Sequence, residues 1–441
     1  MNEARKAPEL WRQLQATVEV LLRVSAGQSG TSSIDAVEAS LRPAVQALAF
    51  HAWRNHGRAV ALRTLLAQKP PALPSDTLLC LALGLMSSNE ETSYDEFTLV
   101  NQTVQAAKQS PRSKAQANFI NACLRRFQRE RDALLAEANK RLEASWNHPL
   151  WWVKRVQADH PDCWERLLSE ANRHPPMTLR VNQRKVDPAD YLLKLQDAGV
   201  AVARSSSTRI ELAKPVPVHK LPGFEDGWVS VQDGAAQYAA PLLLDGGLRG
   251  LPLRVLDACA APGGKTAHLL EMSEAQVIAL EVDPQRAERI GETLGRLGLT
   301  AKVLCADASK PATWWDGELF GAILLDAPCT ASGIVRRHPD IRWLRRESDI
   351  QQLASQQKQI LNALWPLLAA GGRLLYCTCS IFKAEGDGQV QAFLASNKDA
   401  RLMPSPGHLL PGLAADQEGL VDNQASDHDG FFYALYEKMR P

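Results

Sequence analysis

The sequence has no cysteine pairs at zinc-binding spacing and no long apolar run. Its cysteines stand at positions 80, 123, 163, 259, 305, 329, 377 and 379, without one C-x-x-C pair. Structural zinc sites use ligands paired at short spacing, so the sequence predicts no metal site. No apolar run approaches the ~20 residues of a membrane-spanning helix, and the charged start MNEARKAPELWRQL lacks a signal core. We therefore expect a cytosolic protein without a membrane segment, in which an unremarkable cysteine such as Cys305 lies in the core.

An excess of charge of either sign is also missing, because the net charge is only +1. Basic residues are nevertheless concentrated in two stretches. The first runs from Phe97 to Arg129 without any acidic residue and contains Lys108, Arg112, Lys114, Arg125, Arg126 and Arg129. The second contains Arg336, Arg337, His338, Arg342, Arg345 and Arg346. Local patches of this kind suit a polyanion, although a solvated helix face explains either patch equally well.

The texture of the 441-residue chain changes twice, which predicts three domains. Residues 1–145 are rich in Ala, Leu, Gln and Arg at helical spacing, and they include a long predicted helix from Ser113 to Leu135. Residues 146–240 alternate short strands with one helix, which indicates a small α+β domain. Residues 241–441 alternate helices with apolar strands, of which the last is GFFYALYEK. Near-continuous apolar strands of this kind are typical of a parallel sheet covered on both faces, so the third domain is predicted to be an open, doubly wound α/β sheet.

Polar and reactive residues follow the predicted strands of the third domain. They are Asp257 to Thr266 after the first strand, Glu281 and Asp283 after the second, Asp307 after the third, Asp326 to Cys329 after the fourth, and Cys377 to Cys379 after the fifth. In open parallel sheets the ligand binds beyond the carboxyl ends of the strands. We therefore expect these side chains to line one crevice.

The glycine-rich segment after the first strand matches neither common phosphate loop. It lacks the G-x-G-x-x-G pattern, and Cys259 stands where a P-loop has its leading glycine. An acid at the end of the second strand is suited to bind a ribose diol. A ribose-binding acid without a phosphate loop favours a nucleoside cofactor that has no pyrophosphate, such as S-adenosylmethionine.

Three motifs, DACAAPGGKT, DAPCTASGIVRRHPD and YCTCS, resemble those of the RNA cytosine-5 methyltransferase family. The segments FINACLRR and HDGFFYALYEK extend the similarity over essentially the whole chain, to bacterial members that modify 16S ribosomal RNA. The resemblance implies a multidomain protein. Its parts would be an N-terminal all-α NusB-like domain, a small α+β linking domain and a C-terminal α/β Rossmann-like, S-adenosylmethionine-dependent methyltransferase domain.

The resemblance also implies roles for individual residues. Cys379 matches the family's nucleophile, Cys329 matches a second cysteine associated with product release, and Asp326 borders both cofactor and base. The implied cofactor site contains Cys259, Ala260, Ala261, Pro262, Gly263, Gly264, Lys265, Glu281, Asp307 and Asp326. Glu281 takes the ribose position, with Asp283 as the weaker alternative, and Cys377 is a spectator.

The chemistry explains why these residue types are needed. Carbon 5 of cytosine is a poor nucleophile until a thiolate adds to carbon 6, which makes carbon 5 enamine-like.

Two other interpretations stay open at this point. In a DNA cytosine-5 methyltransferase Cys329 would be the nucleophile, and in an RNA-binding scaffold the catalytic domain would be inactive. The paired cysteines disfavour the first, and the complete catalytic set disfavours the second.

The predicted partner is 16S ribosomal RNA. Arg112, Lys114, Arg125 and Arg126 are expected to contact phosphates, which position a substrate without specifying its sequence. Arg336, Arg337 and His338 follow the Cys329 loop in sequence and are expected to hold RNA near the target base. Nothing in the sequence requires more than a monomer.

Overall fold

The structure is a computed structural model that describes residues 8–88, 94–246, 250–412 and 427–440. The chain divides into two compact units. One unit comprises Met1–Asn172 with Val335–Glu347, and the other comprises Arg173–Ile334 with Ser348–Pro441. None of the described helices is both long enough and apolar enough to cross a membrane.

The first unit is helical, and its described residues contain no strand. Helix α6 contributes one apolar face to its core, because Ile120, Cys123, Leu124 and Phe127 recur at helical spacing and are buried, whereas α4 is buried on nearly all sides. The α-helices of this unit are α1 (Leu10–Ser25), α2 (Gly30–Asp35), α3 (Arg42–Leu66), α4 (Leu73–Ser87), α5 (Glu96–Gln109), α6 (Ala117–Arg129), α7 (Arg131–Ala138), α8 (Leu142–Trp146), α9 (Leu150–Asp159), α10 (Trp164–Glu170) and α15 (Ile341–Leu344).

The single long helix predicted from Ser113 to Leu135 is wrong. A 3-10 turn over Lys114–Gln116 precedes α6, and α6 ends at Arg129. Glu130 separates α6 from α7 because its backbone, at φ −114° and ψ 21°, leaves the helical region. The break turns the two helices independently, so that Phe127 of α6 and Leu134 of α7 both reach the core.

The second unit begins with a small antiparallel sheet in the strand order β2-β3-β1-β4. Its helix α11 starts at Asp187, whose side chain accepts a hydrogen bond from the Ala189 amide, with Pro188 in the first turn. Tyr191 and Leu195 of this helix pack with the sheet around a separate small core. The elements are β1 (Met177–Val181), α11 (Pro188–Asp197), β2 (Val202–Ser206), β3 (Arg209–Leu212) and β4 (Val229–Val231).

A seven-stranded sheet in the order β10-β11-β9-β8-β5-β6-β7 forms the rest of the second unit. Strands β5 to β9 pair in parallel, and buried clusters cover both faces of the sheet. This confirms the predicted multidomain layout of helical, α+β and α/β parts. The elements are α12 (Ala239–Leu244), β5 (Arg254–Ala258), α13 (Gly264–Met272), β6 (Gln276–Glu281), α14 (Pro284–Leu297), β7 (Lys302–Cys305), β8 (Phe320–Asp326), α16 (Glu347–Leu364), β9 (Leu368–Thr378), α17 (Asp387–Ser396), β10 (Ala400–Leu409) and β11 (Phe431–Lys438).

Two features of the large sheet were not predicted. Strand β10 has no clear apolar pattern in the sequence, and it pairs antiparallel with β11, which is itself antiparallel to β9. The expectation that Cys305 lies in the core is wrong. Cys305 is exposed because it ends β7, which is the edge strand of the sheet beyond β6. The domain boundaries at 145/146 and 240/241 stay predictions.

Candidate active site

The parallel register brings the polar ends of the central strands together. Strand β8 lies between β5 and β9, and Asp326 at the end of β8 is directly opposite Cys377 on β9. Because parallel strands end at the same edge of a sheet, the loops that carry Cys259, Cys329 and Cys379 all leave from this edge. The predicted crevice at the carboxyl ends is therefore the place where the reactive side chains lie.

The two cysteines singled out in the sequence are in contact. The sulfur atoms of Cys329 and Cys379 are 3.4 Å apart. The hydrogen bond with Cys379 and the burial of the thiol raise the pKa of Cys329 well above its ordinary value. Cys329 consequently keeps its proton at neutral pH, and either sulfur atom can be the donor in this contact. Cys379 is only partly buried, so it is the more accessible of the two sulfur atoms.

Asp326 lies between a lysine and the third cysteine of the site. Lys265 Nζ donates to Asp326 Oδ2 at 2.7 Å, and Cys377 Sγ donates to Asp326 Oδ1 at 3.5 Å. Burial lowers the pKa of Lys265, but the charge of Asp326, its hydrogen bond and the two nearby cysteines together outweigh burial, so the net shift is upward. Burial raises the pKa of Cys377 well above its ordinary value, and Asp326 adds to that shift. Lys265 is thus a permanent cation beside Asp326, while Cys377 is a buried thiol.

The structure separates the two acids that follow β6. Glu281 is 2% exposed, and its Oε1 accepts from the Asp283 amide at 3.1 Å. Its Oε2 lies 3.5 Å from Arg286 Nη2 and has no hydrogen-bond partner among the described residues. Asp283 instead caps α14, because its side chain accepts from the Arg286 amide. One oxygen of Glu281 therefore accepts no hydrogen bond within the described protein, whereas the side chain of Asp283 caps α14.

The segment from Cys259 to Lys265 approaches β6 and α14 closely. The Ala260 amide donates to the Leu280 carbonyl at 2.8 Å, and Arg286 donates to the Ala261 carbonyl at 3.4 Å. Cys259 has a φ of +63°, which is rare for a residue with a side chain. Gly263 has a φ of +96°, and a Cβ there would lie 3.1 Å from the backbone of Ile290. This segment is therefore held in one shape by its neighbours.

The carboxyl groups of Asp257 and Asp307 have pKa values that are shifted in opposite directions. Burial raises the pKa of Asp257 to about 7, although Thr266 donates to its Oδ2 at 2.6 Å. Asp307 is more open, and hydrogen bonds from Ser309 lower its pKa. The two carboxyl groups therefore differ in the pH range over which they ionise.

Sequence reasoning missed the residues that lie behind the cysteines. Glu385 and Gln357 are fully buried and connect the segment after β8 with the segment after β9. Neither residue belongs to a recognisable motif. The one sequence signal was an acidic residue six positions after Cys379, which by itself indicates no role.

The predicted RNA-binding residues lie in the first unit. Arg112 and Lys114 are exposed, whereas Arg125 and Arg126 are half-buried. Arg112 pairs with Glu19 at 2.8 Å, and Arg126 pairs with Glu130 at 3.0 Å. The guanidinium of Arg125 lies 5.6 Å from the ring centre of Phe97, which is 64% exposed. An exposed aromatic ring therefore accompanies this basic patch.

Arg336 does not fit the expectation of an RNA-facing side chain. It is only 1% exposed, and its carbonyl accepts a hydrogen bond from Arg54 at 2.8 Å. Its neighbour Arg342 is also buried and donates to the carbonyl groups of Asn147 and Ala171. These two side chains are buried because the segment packs as part of the helical unit, which the count of charges in the sequence does not reveal. Arg337 and His338 are half-buried.

Comparisons with known proteins agree with this geometry. Residues 252–437 match the family model described as 16S rRNA methyltransferase RsmB/F, and residues 148–219 match the ferredoxin-like domain model of RsmF/B-like methyltransferases. The chain is 39% identical over 432 residues to Ribosomal RNA small subunit methyltransferase B of Vibrio cholerae, with 94% of this chain and 95% of the relative covered. The chain belongs to the RsmB/F family of 16S rRNA methyltransferases.

A second curated relative and two solved structures are also similar to this chain. The methyltransferase B of Vibrio vulnificus is 40% identical, with 96% of this chain and 99% of the relative covered. The crystal structure of PH0851 is 26% identical with a TM-score of 0.75, and it covers 97% of this chain and 99% of its own. A methyltransferase homologue from Pyrococcus horikoshii, 24% identical with a TM-score of 0.55, covers 67% of this chain and 97% of its own and shares the fold.

Membership of the RsmB/F family makes the protein a methyltransferase of small-subunit ribosomal RNA. Within the described part of the chain, no cluster of three or more His, Cys, Asp or Glu side chains is arranged to hold a metal ion.

Proposed function

We propose that the protein methylates carbon 5 of a cytosine in 16S ribosomal RNA through a covalent adduct between Cys379 and carbon 6. The observation that carries the proposal is the contact between Cys329 and Cys379, 3.4 Å apart, at the sheet edge that also holds Asp326 and Lys265. A nucleophilic thiolate, a second thiol and an acid paired with a cation are the groups that this reaction requires.

S-adenosylmethionine is the proposed methyl donor, and when bound it supplies an electrophilic methyl group. The buried Oε2 of Glu281 fits this cofactor, because it has no hydrogen-bond partner among the described residues and a ribose hydroxyl can donate to it. The proposed binding residues are Cys259, Ala260, Ala261, Pro262, Gly263, Gly264, Lys265, Glu281, Asp307 and Asp326.

The first chemical step in this proposal is addition of the Cys379 thiolate to carbon 6 of the cytosine. A bond forms between sulfur and carbon 6, and the electron pair of the 5,6 double bond becomes available at carbon 5. Cys329 favours this step, because its S–H group donates a hydrogen bond to the Cys379 sulfur and so stabilises the thiolate.

Asp326 and Lys265 act on the charge that this addition creates. Addition at carbon 6 places negative charge on the ring, N3 takes up a proton from solvent, and the Asp326 carboxylate stabilises the product by accepting a hydrogen bond from the new N3–H group. Lys265, 2.7 Å from Asp326, provides the fixed positive charge that makes this site favourable for an anion. Cys377 contacts Asp326 but stays a protonated, buried spectator.

The last step restores the enzyme. A water molecule accepts the proton on carbon 5 and N3 returns its proton to solvent. The electrons of the broken C–H bond re-form the 5,6 double bond, and the bond between Cys379 and carbon 6 breaks with its electron pair returning to sulfur. Cys329 assists this release because its sulfur lies beside that of Cys379.

The RNA-binding part of the proposal uses exposed and half-buried cations of the first unit. Arg112, Lys114, Arg125 and Arg126 contact phosphates, and Arg337 and His338 lie near the RNA, whereas the buried Arg336 is not included. The target base is unstacked to reach the crevice, as enzymes that act on bases generally require. The proposed location is the bacterial cytoplasm, where the substrate is made.

The test is transfer of a labelled methyl group from S-adenosylmethionine to unmodified 16S rRNA, followed by identification of the modified base. Wild type is compared with Cys379→Ala and Cys329→Ala, and with Cys163→Ala as a matched control in the first unit. We expect no transfer by Cys379→Ala, a covalent protein–RNA adduct with Cys329→Ala, and full activity of Cys163→Ala.

Two results would contradict the proposal. If Cys379→Ala stayed active while Cys329→Ala neither reacted nor trapped RNA, Cys329 would be the nucleophile, as in DNA enzymes. If the wild type methylated another atom of the RNA, the covalent mechanism would be excluded.

A further inference from the structure

A buried carboxylate joins the two segments that carry the cysteines. Glu385 lies in a 3-10 turn between β9 and α17 and is fully buried. Its side chain points away from solvent into the space behind Cys329 and Cys379. A buried carboxylate is costly unless several donors satisfy it, so its contacts reveal what it holds.

Each oxygen of Glu385 accepts two hydrogen bonds. Oε1 accepts from the Thr330 amide at 2.9 Å and from Gln357 Nε2 at 3.0 Å. Oε2 accepts from Thr330 Oγ1 at 2.5 Å and from Ser380 Oγ at 2.6 Å. Thr330 directly follows Cys329, and Ser380 directly follows Cys379. One carboxylate therefore binds the neighbour of each cysteine.

We infer that Glu385 is a positioning residue, which holds Cys329 and Cys379 at hydrogen-bonding distance by binding Thr330 and Ser380 together. Its importance for catalysis rests on the proposed function, but the spacing of the two thiols is a property of the free protein.

Further hydrogen bonds make this connection rigid. Gln357 Nε2 also donates to the Pro328 carbonyl at 2.9 Å, and Gln357 Oε1 accepts from the Tyr376 hydroxyl at 3.0 Å. The Ser332 and Ser380 hydroxyls lie 2.9 Å apart, and the Ile381 amide donates to Ser332 Oγ. The network reaches residues before and after both cysteines, so neither segment can move without breaking buried hydrogen bonds.

Two substitutions of Glu385 distinguish loss of its charge from loss of its hydrogen bonds. In Glu385→Gln the amide oxygen still accepts from the Thr330 amide and Gln357, and the hydroxyls of Thr330 and Ser380 can rotate to accept from the amide NH2. In Glu385→Ala these donors lose their acceptor, and the two segments separate. Glutamine is therefore expected to preserve the position of the cysteines, and alanine is not.

The first measurement follows alkylation of Cys329 by iodoacetamide as a function of pH, in protein without RNA or cofactor, with mass spectrometry at that residue. The variants are compared by the pH midpoint of alkylation and not by its rate, because the rate also depends on how easily iodoacetamide reaches the Cys329 sulfur. In Glu385→Ala both the hydrogen bond between the thiols and the carboxylate charge that helps to raise the pKa of Cys329 are lost, so we expect the midpoint to fall by about one pH unit or more. In Glu385→Gln the alkylation midpoint should fall by less than half of that amount. This variant loses the same charge but keeps the contacts, so it measures the effect of the charge alone, and an equal fall in both variants would contradict the positioning role. Glu437→Ala, a carboxylate of the same sheet paired with Arg401, is the matched control and should equal wild type.

A second variant covers the case in which Glu385→Ala does not fold. Thr330→Val with Ser380→Ala removes both hydroxyl donors and leaves the carboxylate, and the same downward shift is expected. A folded Glu385→Ala protein, or a folded double variant, with the wild-type midpoint would overturn the inference.

The second measurement is steady-state methyl transfer to 16S rRNA. A displacement of about 1 Å at reacting groups costs on the order of 100-fold, so kcat of Glu385→Ala should fall by about that factor while KM stays within about threefold. Glu385→Gln should recover most of the loss. A shifted alkylation midpoint in a protein that does not methylate cytosine would refute the proposed function and leave the positioning role intact. Cytosine methylation by the wild type, with an unchanged alkylation midpoint in Glu385→Ala, would support the proposed function and refute the positioning role.

Discussion

At the scale of single residues, two neighbouring acidic side chains have different roles. Glu281 and Asp283 are two positions apart, yet the first is buried with one oxygen that accepts no hydrogen bond among the described residues, and the second caps a helix. The difference arises because Glu281 ends a buried strand, whereas Asp283 already stands at the N-terminus of α14. Substitutions of the two should therefore affect different properties.

We predict that Glu281→Gln weakens the binding of S-adenosylmethionine by about tenfold or more, because a charged acceptor for the ribose is lost. The melting temperature should change little. Asp283→Ala should lower the free energy of unfolding by ~1 kcal/mol through loss of the cap and leave the affinity nearly unchanged. Titration calorimetry and thermal unfolding of both variants measure the two effects. Equal losses of affinity would contradict the assignment of Glu281.

Asp257 predicts a dependence of stability on pH. Burial raises its pKa from 3.8 to about 7 in the folded protein, so between about pH 4 and pH 7 the folded state holds a proton that the unfolded chain has lost. Its contribution to stability is therefore present below pH 4 and is lost as the pH rises to 7. The full shift corresponds to at most ~4 kcal/mol.

The measurement is thermal unfolding of wild type and Asp257→Asn between pH 4.5 and 7.5. Asparagine still accepts from Thr266 but does not titrate, so the variant should gain stability relative to wild type as the pH rises. A constant difference between the two proteins across this range would show that Asp257 does not titrate there.

At the scale of elements, three loops meet behind Cys379. The Gly333 amide, after β8, donates to the Cys379 carbonyl at 2.9 Å. The Gly430 amide, before β11, donates to the Gly333 carbonyl at 2.9 Å. A Cβ added at Gly333 would overlap the Gly430 carbonyl oxygen, so this junction has no room for a side chain. The antiparallel strand β11 thus supports the active-site loops.

We predict that Gly333→Ala lowers the melting temperature by several degrees and reduces methyl transfer by about tenfold or more, because the backbone around Cys379 must shift. Gly291→Ala is the matched control. Gly291 lies within α14 with no atom near its added Cβ, so alanine should be neutral or stabilise by up to ~1 kcal/mol. If Gly333→Ala resembled Gly291→Ala in both assays, the loop junction would not constrain the site.

At the scale of the whole molecule, charge is distributed unevenly although the sum is +1. Lys114 is exposed, and Arg125 lies against the exposed ring of Phe97. Arg112 and Arg126 have acidic partners, so part of their charge is already compensated. The net charge is therefore a poor guide to RNA affinity, and the arrangement of the cations decides it.

We predict that Lys114→Glu with Arg125→Glu weakens the binding of 16S rRNA fragments and lowers the magnitude of the slope of log K against log[salt] by about 1 to 2, because phosphate contacts are lost. Lys140→Glu makes the same type of change in the same unit outside the patch, at a residue paired with Glu137. Binding measured between 50 and 300 mM salt should separate the two. An unchanged slope in the double variant would place the RNA elsewhere.

The sequence by itself determined the parts of this protein that depend on local pattern. Apolar strands such as RVLDAC and GAILLDAP predicted the parallel sheet, and the side chains that follow them predicted the edge at which the site lies. Cys329 and Cys379 were both predicted as site residues because each belongs to a short motif. Fifty residues separate them in the chain, but parallel strands with adjacent ends bring them together.

Only the tertiary structure decided the features that depend on neighbours distant in sequence. The exposure of Cys305, the burial of Arg336 and the role of Glu385 were all outside the reach of the pattern. An edge strand, a basic segment packed into a helical unit and a carboxylate with four donors leave no signature in local composition. The physical reason is the same in each case, because burial and hydrogen bonding are set by which segments meet, whereas composition records only which residues are available.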